Sequence, residues 1–381
     1  MNLSKRKEFA MKMKFNRRSF LKTSLLAAST PLIPAFPAPA FSRDRNPSEK
    51  LNIACVGVNG MGANNLNNVK GENIIALCDV NDNVIAARKG EFPDAKTFFD
   101  FREMFDAVKD IDAAVISTPD HNHAVITLEA MKHGIHCYTE KPLAHDVAEI
   151  RAVQKMAREK NLFTQMGTII HAGDNYRRVV EIVKSGMLGV IRDVHVWCNK
   201  GWGGYTRPTV SAPCPPELHW DLWIGPAPMI DYSPDYQPAR WRGYWPFGTG
   251  TFGDMACHLM DLPFWALDLG YPLSVESTCP AEIDPFCCPL DVTAHYEFPH
   301  PDGGILNLTW YDGKAVPSIM EEKGLEKLGM GIIFVGDEGI LEADYGTLRL
   351  YPADKFADGV RPEPTIPSSI GHHQEWFRAI R

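Results

Sequence analysis

Between Leu51 and Met166, short unbroken apolar runs alternate with longer segments whose apolar residues recur every three or four positions. The runs are Leu51 to Val58, Ile74 to Cys78, Ala113 to Ser117, His136 to Tyr138 and Leu162 to Met166. Such runs match strands buried on both faces of a sheet. The stretches Ala63 to Val69, Phe101 to Val108, Ala124 to His133 and Val147 to Glu159 read as helices between them. This rhythm predicts an α/β domain over residues 50–170. It would be a parallel, doubly wound sheet with its ligand beyond the carboxyl ends of the strands.

The first run ends in Gly57-Val58-Asn59-Gly60-Met61-Gly62. Set against G-x-G-x-x-G, Gly57 and Gly62 match the first and third glycines, Asn59 replaces the second, and Gly60 supplies backbone freedom nearby. The second run ends at Asp79, where a carboxylate meets the adenosine ribose of a dinucleotide. A carboxylate there repels a 2′-phosphate, which favours NAD over NADP while leaving NADP open.

Composition narrows the partners. The chain carries 39 basic and 47 acidic side chains, a net charge of −8. Eight of the basic residues and one acidic residue, Glu8, lie in the first forty positions, which leaves the remainder at −15. A surface that acidic repels phosphate backbones, so no nucleic-acid partner is expected. Within residues 1–40, Arg17-Arg18-Ser19-Phe20-Leu21-Lys22 precedes a mildly apolar, proline-broken run ending at Ala38-Pro39-Ala40. This reads as a twin-arginine signal, with the export machinery as partner, a periplasmic destination and no stable membrane insertion. The nine scattered cysteines include no C-x-x-C pair, and no disulfide framework is expected.

G-V-N-G-M-G, S-T-P-D-H-N-H (Ser117–His123) and T-E-K-P-L-A (Thr139–Ala144), followed by Gly248 to Asp261 with its Asp254-x-x-x-His258, resemble the glucose–fructose oxidoreductase/inositol dehydrogenase/MocA family. The resemblance runs from about Leu51 to the end. It implies an N-terminal Rossmann domain, then an α+β domain over residues 171–381 built on an open, mainly antiparallel sheet. Val190 to Asn199, Leu273 to Thr278, Val292 to Phe298, Ile305 to Tyr311, Ile332 to Val335, Ile340 to Ala343 and Thr347 to Tyr351 supply strands for that sheet. Family members usually continue beyond the point matching Arg381, so final elements packing on the Rossmann domain are expected to be missing. Relatives often pair through the sheet's exposed face, which implies a homo-oligomer.

The resemblance places the cofactor against Gly57, Asn59, Gly60, Met61, Gly62, Asp79, Thr118, Pro119, Asn122, His123, Glu140 and Lys141. It makes His258 the general acid/base, with Asp254 orienting the imidazole and binding a hydroxyl, and Lys141 bound to the reacting oxygen. Spacing supports one part of this: residues four apart on a helix share a face. By residue type alone, Lys141 also reads as a solvated loop residue. Asp254-x-x-x-His258 likewise reads as a surface pair, or as part of a metal site completed by Asp261. No metal is expected. His171 and Asn175 are candidate sugar contacts. So are Trp241 and Arg242, which lie in an aromatic stretch over residues 200–247 that serves equally well as loop packing. The leading function is NAD-dependent oxidation of a sugar, glycoside or polyol hydroxyl with tightly bound cofactor. Some relatives with a similar segment are glycosidases working through transient C3 oxidation, which is the alternative. A non-catalytic sugar-binding protein is the third.

Overall fold

A computed structural model of the chain describes residues 49–381 apart from 280, 281, 283, 358 and 360; the leader predicted over 1–40 lies outside them. The first domain is a six-stranded parallel sheet in the order β3-β2-β1-β4-β5-β6. Its strands are β1 (Asn52–Val56), β2 (Asn73–Cys78), β3 (Lys96–Phe98), β4 (Ala113–Ile116), β5 (His136–Thr139) and β6 (Thr164–Met166). The crossovers are α1 (Met61–Val69), α2 (Asp82–Glu91), α3 (Phe101–Ala107), α4 (Asp120–Lys132) and α5 (Val147–Glu159). Asn81, Asp100 and Asp146 cap α2, α3 and α5 through their side chains, each satisfying amides the helix leaves unpaired. The helices cover both faces, which is why β1 and β4 read as continuous apolar runs. β3 lacks such a run because it is the sheet edge, with only Phe98 partly buried.

The second domain begins with α6 (Asp174–Lys184) and β7 (Ile191–Cys198), then α7 (Trp220–Ile224), α8 (Gly250–Leu259) and α9 (Asp261–Leu267). There follow β8 (Ser274–Thr278), β9 (Thr293–Pro299), β10 (Ile305–Asp312), α10 (Ile319–Glu322), β11 (Met330–Gly336), β12 (Ile340–Ala343) and β13 (Leu348–Tyr351). The sheet order is β13-β12-β11-β7-β10-β9-β8; only the β7–β10 pairing is parallel. α6, α8 and α9 bury one face of it around Tyr176, Leu259, Trp310 and Phe334. The sheet is therefore mixed and mainly antiparallel, as expected.

α11 (His372–Ile380) returns to the first domain, where Trp376 and Phe377 pack with Leu51, Ile53 and Tyr138. Trp376 Nε1 donates to the Phe163 carbonyl at 3.2 Å. A helix that packs on the Rossmann sheet thus lies within the 171–381 range. Arg177 pairs with Glu375 of this helix at 3.1 Å, joining α6 to it as an interdomain ion pair. Arg178 instead bonds Glu181 in its own helix. Among the described residues no helix is long and apolar enough to cross a membrane, and the nine cysteines are free thiols.

Candidate active site

The carboxyl ends of β1, β2, β4 and β5 open into one cavity of about 790 Å³. Its centre is the glycine turn, with Asn59, Gly60 and Met61 on the wall. A Cβ on Gly57 would lie 2.7 Å from the Ser117 carbonyl oxygen, and one on Gly62 only 1.9 Å from that of Gly57. Gly62 thus sits behind the wall and allows the turn to close. The N-terminus of α1 meets this wall at Gly60 and Met61 and has no side-chain cap, a position that suits a pyrophosphate.

Asp79 stands on the same wall at the end of β2, its carboxylate accepting from the N–H groups of Val58 at 2.9 Å and Asn81 at 3.2 Å. Burial pushes this carboxyl up, and those N–H groups oppose the push. Thr118 and Pro119, after β4, continue the wall, and the Thr118 hydroxyl is buried without a partner. A cradle that admits only glycine and an orphaned hydroxyl beside it fit a dinucleotide. With Asp79 marking the ribose end, β4 and β5 lie toward the nicotinamide.

At that end Lys141 follows β5, and its ammonium bonds the Asp254 carboxylate and, at 3.0 Å, the Asp254 carbonyl. Arg242 Nε donates to the same carboxylate at 3.1 Å. Burial alone would push Asp254 up, but Lys141 and Arg242 outweigh it and hold the carboxyl below its usual range. This corrects the expected Asp254–His258 pairing. Charges offer a buried carboxylate far more than a neutral ring does, so Asp254 turns to them. The His258 Nδ1 is buried with no partner, and the ring lies edge-on to Tyr345. Burial and Lys141 push the imidazole down to about 4, against Asp254 and Asp261.

Other expectations are redistributed. Asn122 reaches the wall but donates to the Trp223 carbonyl at 2.9 Å. His123 is off the wall: its ring nitrogens face the carbonyl oxygens of Thr118 (2.8 Å) and Pro142 (2.6 Å), so it braces two loops instead of touching cofactor. Glu140 borders the cavity, yet its carboxylate accepts from Asn65 at 2.8 Å and from the Lys141 N–H at 3.2 Å. His171 bonds Asp261 at 2.8 Å and stacks on Trp265, which takes Asp261 away from any metal set with His258. Asn175 Nδ2 donates to the carbonyls of Asp344 and Thr347, both at 2.8 Å, so its amide nitrogen ties α6 to a turn. Trp241 and Arg242 do line the cavity, with the guanidinium 4.3 Å over the Trp241 ring.

The aromatic stretch resolves into both of its readings. Trp223, Tyr236, Tyr244 and Phe247 form a small core of their own. Its edge, through Leu218, Asp221 and Leu222, is the outer wall of the cofactor cavity. This strap is pinned to the β2 end by an Asn81–Leu218 bridge, by the His219–Asp82 contact at 2.9 Å and by His219 stacked on Phe99. His219→Ala should speed NAD dissociation about three- to tenfold, the usual worth of one partly exposed charged hydrogen bond. Chase of bound NADH followed by fluorescence measures this; an unchanged rate would show that the strap is no barrier. Trp202, in the same stretch, has its indole N–H buried without a partner; sequence reading missed Asp120, on the wall beside Pro119. A polar residue after proline reads as a helix start, and nothing local signals its burial.

Comparisons with known proteins agree with this fold. Residues 51–168 match the family model described as Oxidoreductase family, NAD-binding Rossmann fold, and 172–297 that of its C-terminal alpha/beta domain. A glycosyl hydrolase family 109 protein of Shewanella pealeana is 26% identical over 61% of this chain and 51% of its own length. An inositol 2-dehydrogenase of Rubrobacter xylanophilus is 29% identical over 38% of this chain and 43% of its own. The chain thus spans about half the length of these curated relatives or less. The WlbA dehydrogenase of Bordetella pertussis, solved with NADH and UDP-GlcNAcA, superposes with a TM-score of 0.61 at 19% identity, covering 87% of this chain and 88% of that one. With two successive family models spanning well over half its length, the chain belongs to the Gfo/Idh/MocA oxidoreductases, whose first domain binds NAD.

Proposed function

We propose that the protein oxidises a secondary hydroxyl of a sugar, glycoside or polyol by hydride transfer to tightly held NAD. The observation that carries this reading is the Lys141 ammonium, fixed by Asp254 at the nicotinamide end of the cavity. When bound, NAD supplies the hydride acceptor. Lys141 donates a hydrogen bond to the reacting oxygen and stabilises the alkoxide as it develops. Asp254 remains ionised and holds Lys141 and Arg242 in place. His258, neutral with an unpartnered Nδ1, accepts the hydroxyl proton. The free Trp202 indole N–H, whose ring lies under the Arg242 guanidinium at 5.5 Å, donates to a neighbouring hydroxyl.

The likeness to glycosyl hydrolase family 109 proteins favours a second reading, in which oxidation at C3 is transient. The C2 proton is then lost with the C1 leaving group, water adds, and the ketone is reduced again. Such a cycle needs no cofactor exchange. It suits export of a folded, loaded protein by the leader read in residues 1–40.

Incubation with a panel of sugars and nitrophenyl glycosides separates these readings. Accumulating nicotinamide absorbance without aglycone release supports the dehydrogenase, and release without accumulation supports the glycosidase. Neither signal, with Lys141→Ala equal to the parent, supports the binding protein. His258→Ala should lower the rate about 10²-fold or more, the contribution of a positioned base, with cofactor affinity nearly unchanged. Unaltered turnover would remove the base assignment.

A further inference from the structure

Asp120 has no part in the chemistry above, yet it is a carboxylic acid only 3% exposed on the wall of the cofactor cavity. It is the first residue of α4, directly after the Thr118-Pro119 wall at the end of β4. Its carboxylate accepts a hydrogen bond at 3.0 Å from the hydroxyl of Thr249, the residue heading α8. The charged groups facing it are Lys141 after β5, Arg242 on the wall and Asp254 on α8. The thiols of Cys257 and Cys288 feel its charge as well. Burial pushes the carboxyl up to about 7; Lys141, Arg242 and the Thr249 hydroxyl oppose this, and Asp254 adds to it.

We propose that Asp120 is the proton store coupled to the cofactor: ionised while the nicotinamide is oxidised, protonated once it is reduced. The inference rests on the dehydrogenase reading of the site. An oxidised nicotinamide ring is positive and a reduced one neutral. A carboxylate on the wall of the same cavity is stabilised by the first and not by the second. In carbinol oxidation the C–H bond breaks with its electron pair, which reduces the ring as hydride. The O–H bond breaks, a C=O bond forms and one proton remains. Accepted first by His258 and released again, that proton ends on Asp120 and converts a carboxylate to an acid as the ring loses its charge. The buried site therefore carries the same net charge before and after the reaction. It also keeps the proton at hand for the reverse step, which a chain that does not exchange its cofactor requires.

The test is the affinity of the full chain for NAD⁺ and NADH, from NADH fluorescence with NAD⁺ competition, between about pH 5.5 and about pH 8.5. The preference for NAD⁺ should rise about tenfold or more with pH, because a difference of one unit in carboxyl pKa between the two complexes is tenfold in their affinity ratio. Asp120→Asn should make the preference independent of pH. Thr249→Val removes a hydrogen bond to the ionised form and should move the midpoint upward while the amplitude stays. A flat preference in the parent chain, an unchanged slope in Asp120→Asn or an unmoved midpoint in Thr249→Val overturns the proposal. The readout is binding, so failure to oxidise any sugar would count against the dehydrogenase reading separately.

Discussion

Lys141→Ala should slow reduction of the bound cofactor by a sugar hydroxyl by about 10²- to 10⁴-fold, the usual contribution of a positioned acid–base group. The loss has two sources. The reacting oxygen forfeits its only ammonium donor within the Lys141–Asp254–Arg242 cluster, and Asp254 is left with Arg242 alone. The second source predicts a change with pH. Because its partners depress the Asp254 carboxyl in the folded chain, its contribution to stability is present above the unfolded value and lost as pH falls through the folded one. Without Lys141 the folded value rises toward the unfolded one, and the variant should lose less stability on acidification than the parent. Single-turnover absorbance and thermal melts across pH measure both effects. A variant as fast as the parent would end the catalytic assignment.

Gly62→Ala should weaken NAD binding about tenfold to a hundredfold, since overpacking of about 1–3 kcal/mol is placed directly on the cofactor turn. The added Cβ would sit 1.9 Å from the Gly57 carbonyl oxygen, and backbone cannot swing aside as a side chain can. That Cβ would also come within 3.3 Å of the Ser117 Cβ. Gly71→Ala has open space around it and serves as the control. Titration with NADH should show near-parental affinity for the control and the loss for Gly62→Ala. Equal affinities would mean that the turn does not shape the site.

The two predictions differ in how far they were legible beforehand. The glycine turn, Asp79 and the strand–helix rhythm are local properties. Burial on both faces leaves an unbroken apolar run, and a backbone that must approach its neighbour closely leaves glycine. The helix placing Asp254 and His258 on one face was equally legible, because spacing along a helix fixes geometry. What spacing does not fix is which partner a charge selects.

That choice belongs to the tertiary structure. Lys141 lies 113 residues from Asp254 in the chain, yet a buried carboxylate answers to opposite charge before a neutral imidazole four positions away. Folding alone brings Asp120 under the cavity wall, where burial takes its carboxyl to about 7. The same folding lays the aromatic strap across the β2 end, through His219 and Asp82, and returns Trp376 to Tyr138. The sequence by itself determined the doubly wound first domain and the cofactor cradle, since both follow from periodicity and backbone freedom. The wiring of the charged cluster and the roof over the cofactor came only with the fold, because the energy of a buried charge depends on every group around it and not on its neighbours in sequence.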